Sequence, residues 1–82
     1  MPTVETIDGL RVVIYPNDHI PKHVHVIGGG CEAVFQLNCP GGPLELRENY
    51  GFSAGKLSKI KEALKPSILN LCAAWRRIHE LR

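Results

Sequence analysis

The sequence predicts an α+β domain: an antiparallel sheet of four to five short strands in the N-terminal half, packed against two C-terminal helices. Three observations lead there. Up to Tyr50 the chain is rich in Val, Ile, Gly and Pro, with short apolar alternations. From Ser53 onward Gly and Pro become rare, and Leu, Lys, Ala and Arg recur at helical spacing. Strands in one block followed by helices in another is the order of α+β chains. The length of 82 residues fits a single domain over 1–82, with strands across about 3–48 and helices at about 54–65 and 66–81.

Thr3 to Ile7 is the first strand, and Asp8-Gly9 after it is a strong two-residue hairpin signal. Leu10 to Tyr15 follows, with Val12 and Ile14 on one face and Arg11, Val13 and Tyr15 on the other. Pro16-Asn17-Asp18 reads as a turn. His23 to Ile27 is the third strand. Gly28-Gly29-Gly30 lets the chain reverse into Cys31 to Leu37, where Ala33, Phe35 and Leu37 alternate with Glu32, Val34 and Gln36. Asn38 to Pro43 is a break. Leu44 to Glu48 is a fifth, short strand with Leu44 and Leu46 facing in. Ser53 suits the N-cap of a helix ending near Lys65, with Leu57, Ile60 and Leu64 on one stripe. Pro66 cannot continue that helix but suits the first turn of the next. There Ile68, Leu71, Cys72, Trp75 and Ile78 follow the i, i+3, i+4, i+7 rule, and the apolar face of the sheet is the obvious cover for their stripe.

Composition excludes several classes. Ten basic against eight acidic residues leave a formal charge of +2, too mild to imply a nucleic-acid groove by itself. No apolar run approaches the roughly 20 residues of a membrane span, and Met1 to Glu5 lack the basic start and apolar core of a secretory signal. Cys31, Cys39 and Cys72 are odd in number and widely spaced, with no Cys-x-x-Cys pair. The expectation is buried or semi-buried thiols in the reducing cytoplasm.

The segment from Asp18 to Val26 carries the chemistry. His23 and His25 are two apart, so on a strand they share a face while Val24 and Val26 take the other. Pro21 stiffens the approach and can bring His19 back beside the pair. Three readings stay open: rings merely solvated on a wet face; His19, His23 and His25 as ligands of a divalent transition metal such as zinc, with water completing the shell; or His23 and His25 as general base and acid near neutral pH. Asp18 is either an orienting partner for a ring or a turn residue. Lys56, Lys59, Lys61, Lys65, Arg76 and Arg77 make the helical half basic, which reads first as a solvated face. His79, in the final turn, needs no further role. Glu32, Glu45 and Glu48 form no recognisable carboxylate pair.

Met1-Pro2-Thr3, Ile14 to His19, the His-x-Pro-x-His-x-His run over His19 to His25, Gly29 to Ala33, and the closing helices with Trp75 and His79 together resemble the small bacterial family catalogued as domain of unknown function 4160. The resemblance covers essentially the whole chain. Lys22 stands where many relatives show a second proline, and Val24 where an aromatic is common; the motif keeps all three histidines. The resemblance implies a small cytoplasmic protein, often encoded beside a second small protein (domain of unknown function 2442), an arrangement of the toxin–antitoxin kind. No reaction comes with it. The resulting expectation is a component of a two-protein module acting through protein or RNA binding at a histidine-lined site. His23 and His25 are its catalytic candidates, and Arg11, Lys22 and Arg47 hold phosphate. The alternatives are a zinc-type protein or small hydrolase using His19, His23 and His25, and a non-catalytic scaffold. The partners expected are a small protein and RNA rather than a membrane, with exposed strand edges suiting a homodimer.

Overall fold

The computed structural model describes residues 3–17 and 19–79. Five strands, β1 (Thr3–Ile7), β2 (Leu10–Val13), β3 (His23–Gly28), β4 (Cys31–Gln36) and β5 (Glu45–Tyr50), form one antiparallel sheet in sequence order. Two helices follow, α1 (Ala54–Leu64) and α2 (Ile68–His79), joined by a 3-10 turn over Lys65–Ser67. This is the α+β arrangement the sequence predicts.

Local chemistry accounts for the joints. Asp8 and Gly9 both take positive φ, 47° and 76°, as a tight hairpin turn with the right twist requires. Ser53 caps α1, its Oγ accepting from the Lys56 N–H at 3.1 Å. Pro66 does not open the second helix directly. It sits in the 3-10 turn, where a missing N–H costs little, and α2 begins at Ile68. Residues 80 and 81, included in the expected helix, lie outside the described residues, as does Asp18.

The core lies between one sheet face and the helices. Val12, Ile14, Val24, Val26, Ala33, Phe35 and Leu37 meet Ile60, Leu64, Ile68, Leu71 and Trp75, all closed to solvent or nearly so. The period of two along each strand and the i, i+3, i+4 stripe of α2 build this contact directly.

Three expectations need correction. The second strand stops pairing at Val13, although Ile14 beyond it stays fully buried. The fifth strand runs later than expected: Leu44 precedes it and is buried, but Leu46 within it is 42% exposed. β5 is the outer edge of the sheet, and a bulge opposite Val34 and Phe35 shifts its register. Finally, Cys39 and Cys72 are not thiols but a disulfide, with Cα atoms 6.0 Å apart; Cys31 alone stays free. The loop after β4 turns back on itself through a Gly42 N–H to Asn38 C=O bond of 2.8 Å, and it meets α2 at this crosslink.

The second sheet face is not plainly wet. Val13 lies opposite His25, and His25 opposite Val34, so two valines flank that histidine on one face. Val13 is 0% exposed, although it sits outside the main core. Among the described residues no helix is long and apolar enough to cross a membrane.

Candidate functional site: a row of rings beside an arginine groove

Strand β3 sends His23 and His25 to one face, as its alternation dictates. Their ring centroids are 5.1 Å apart, and each has an aromatic neighbour on its other side. Tyr15 meets His25 edge-on at 4.8 Å, and Trp75 of α2 meets His23 at 5.3 Å. His79 then stacks on Trp75 at 4.0 Å, the planes 23° apart. The order Tyr15, His25, His23, Trp75, His79 is thus a continuous row of five rings running from the end of β2 to the end of α2. Edge-to-face and offset contacts at these separations are attractive.

Hydrogen bonds set the orientation of both histidines of β3. His23 Nδ1–H donates to the Pro21 carbonyl at 2.8 Å, and His25 Nδ1–H donates to Glu32 Oε2 at 2.8 Å. A carbonyl and a carboxylate only accept, so the partners assign the hydrogen to Nδ1 in both rings. In the neutral rings the basic lone pair then sits on Nε2. Such a carboxylate–imidazole contact fixes ring and tautomer together. The two rings differ in access: the His25 side chain is 15% exposed and its Nε2 is buried, while His23 lines a surface groove.

That groove holds about 160 Å³ between Pro21, His23, Val34, Gln36, Arg47 and Glu48. Arg47 enters it at the β5 bulge and is held by a one-directional chain of hydrogen bonds. Its guanidinium donates to Gln36 Oε1 at 2.9 Å, Gln36 Nε2 donates to Asn38 Oδ1 at 2.7 Å, and Asn38 Nδ2 donates to the Pro43 carbonyl at 2.8 Å. An arginine fixed in this way offers its remaining donors in a set plane, the geometry that suits carboxylate or phosphate. On the same strand the Tyr50 hydroxyl donates to Glu48 Oε1 at 2.6 Å. That hydrogen bond and the repulsion from Glu48 raise the phenol's pKa above its ordinary value.

The structure sorts the residues singled out by the sequence. His23, His25 and Arg47 come together. Arg11 lies opposite Ile27 at the other end of β3, four residues from His23. Lys22 does not line the groove itself but two cavities beside it, one with Cys39 and Arg76 and one with the groove residues Pro21 and Gln36. Of the three proposed phosphate-holding cations, Arg47 lines the groove, Lys22 borders it and Arg11 stands apart. His19 is exposed on the loop before β3, with no ring contact to His23 or His25 among the described residues. The loop that carries it stays at the surface, with Ile20 80% exposed. Among the described residues no group of three His, Cys, Asp or Glu side chains could hold a metal ion. The third imidazole of the row is instead His79, whose Nε2 is buried with no hydrogen-bond partner among the described residues.

Two participants escaped the sequence reading. Glu32 could have been found from the hairpin: with Gly28 paired to Cys31, Ile27 faces Glu32, which places that carboxylate diagonal to His25. His79 carried a signal as well, since it lies one helical turn after Trp75.

No curated protein and no solved structure matches the chain. A family does: the domain of unknown function (DUF4160) matches residues 9–76, a span that includes every strand from β2 on, the His23–His25 pair, the groove and Trp75, and this chain belongs to that family.

Proposed function

We propose that this chain is the target-contacting member of a two-protein bacterial module of the cytoplasm, and that it holds a phosphate of single-stranded RNA between His23 and Arg47. The observation that supports this reading is the shared groove, where a tautomer-fixed imidazole and a hydrogen-bond-locked guanidinium line one small cavity. His23 is the group that meets the ligand. His25, half-buried beside it and tied to Glu32, positions His23 and stands as the second imidazole for proton transfer. Because neither Arg11 nor Lys22 lines the groove, contact is confined to one or two phosphates. The salt dependence is accordingly shallow, a slope of log K on log salt of about −0.7 to −1.4.

Fluorescence anisotropy with a labelled single-stranded RNA tests this. Arg47→Gln and His23→Gln are each expected to weaken binding about tenfold, the effect of losing a hydrogen bond to a charged group. Equal binding by wild type and both variants removes the reading. Expression in a bacterial host separates binding from cleavage: wild type that slows growth and degrades RNA, with a silent His23→Ala, assigns turnover, and equal growth with intact RNA in both leaves a binding module only.

A second reading draws on β5, an edge strand exposed along its whole length with Leu46 and Tyr50 outward. The partner protein of the module covers this edge. Tyr50→Glu is expected to abolish capture of the neighbouring small protein, and unchanged capture would place that contact elsewhere.

A further inference from the structure

The hydrogen-bond chain that fixes Arg47 in the groove ends on the loop that the Cys39–Cys72 disulfide holds. Asn38, which accepts from Gln36 and donates to the Pro43 carbonyl, is the residue next to Cys39. Its backbone holds a φ of 51°, and the Gly42 N–H returns to its carbonyl. The crosslink is the covalent tie between this turn and α2. A reagent can reach it: the disulfide lines an open cavity of about 340 Å³ with Pro40, Leu69 and Ala73, and Cys39 is half-buried. Cys39 also lines a second cavity, of about 190 Å³, with the groove residues Pro21 and Gln36. An accessible disulfide in a reducing compartment is of the kind that opens and closes. We propose that the Cys39–Cys72 disulfide is a redox switch for the groove. A dithiol reductant opens it, the 38–43 loop loosens from α2, and Asn38, a positioning residue, no longer holds the chain from Gln36 to Arg47. The switch rests on the reading of the groove as a phosphate site.

One thiolate of the dithiol attacks Cys39 Sγ, the S–S bond breaks, and Cys72 leaves as a thiolate that takes up a proton. The second thiol of the same molecule, deprotonated, attacks the dithiol's sulfur in the mixed disulfide and releases Cys39 as a thiolate, which is protonated in turn. The dithiol becomes a cyclic disulfide and gives up two electrons and two protons; the protein takes up two of each. Leu37 and Leu44, buried at either end of the loop, keep the fold in place, so the loss is confined to the tie to α2. Arg47 keeps its charge and loses its preset orientation, which lowers affinity less than removing the guanidinium does.

Protein that is air-oxidised, or reduced with dithiothreitol, is titrated against the labelled single-stranded RNA. Reduction is expected to weaken binding about fivefold, the effect of having to order one long side chain on binding. Cys39→Ser with Cys72→Ser, which keeps the free Cys31, is expected to bind as reduced wild type does and to ignore dithiothreitol. Asn38→Gly retains access to positive φ and removes the relay. It too is expected to bind as reduced wild type does, with no further response to reduction. In the RNA-free protein, NMR is expected to show the Gln36 Nε2 hydrogens exchanging with solvent about tenfold faster after reduction, through loss of one hydrogen bond. RNA bound equally tightly in both redox states, or a redox response kept by Asn38→Gly, overturns the switch. So does unchanged Gln36 exchange, reduction that unfolds the chain, or air-oxidised protein in which Cys39 and Cys72 are free thiols. RNA bound in neither state removes the phosphate reading instead, and Gln36 exchange alone then decides the switch.

Discussion

Two imidazoles two residues apart become different objects because of what each Nδ1 meets. Pro21 gives His23 a carbonyl at the surface, and Glu32 gives His25 a carboxylate under partial cover. The spacing of His23 and His25 was legible from a period of two; the partners were not, because they arrive through a turn and a cross-strand diagonal. Glu32→Ala removes the acceptor and is expected to cost about 1.5–3 kcal/mol, the range for a hydrogen bond involving a charged group, as measured by urea denaturation. The Tyr50–Glu48 pair gives a pH-dependent expectation. The folded phenol titrates above an ordinary tyrosine, so the hydrogen bond's contribution is complete below the ordinary value near 10.0 and is lost as pH rises through the raised value. Glu48→Gln is expected to move the Tyr50 titration, followed by ultraviolet absorbance, back toward that ordinary value; an unmoved titration contradicts the assigned cause.

The elements written in local chemistry were the readable ones. Asp8-Gly9, the Gly28-Gly29-Gly30 run at the end of β3 and the Ser53 cap fixed their joints because each states a backbone requirement within a few residues. β5 was placed too early because a bulge and an edge position are properties of the whole sheet, and Leu44 and Leu46 look alike until the sheet ends beside one of them. Two substitutions probe the joints. Ser53→Ala is expected to lower stability by about 1 kcal/mol, the usual value of such a cap. Gly42 has φ of 83°, and a Cβ there meets Ile68 Cδ1 at 2.9 Å. Gly42→Ala is therefore expected to cost about 1–3 kcal/mol through backbone strain and crowding against α2, read as a lower urea midpoint.

At the scale of the whole molecule, long-range closure makes the site. Trp75 and His79 complete the ring row from the far end of the chain, and Cys72 reaches back 33 residues to Cys39. The Trp75–His79 stack sits at helical spacing, but the long-range links could not be read from spacing: an odd cysteine count says nothing of which pair the fold brings within reach, and Trp75 meets His23 only once α2 has docked. A crosslink over such a loop contributes about 2–4 kcal/mol. This is a large share of the roughly 4–12 kcal/mol usual for a domain of 82 residues. Cys39→Ser with Cys72→Ser is expected to lower the unfolding free energy by that amount and still leave a folded chain. The central claim, that His23 and His25 are gathered and fixed rather than solvated, is tested most directly by long-range ¹H–¹⁵N NMR of the imidazole nitrogens at a pH where the rings are neutral. The account predicts that His23 and His25 both carry hydrogen on Nδ1 with Nε2 bare; rings hydrogenated mainly on Nε2, as free histidine is, contradict it.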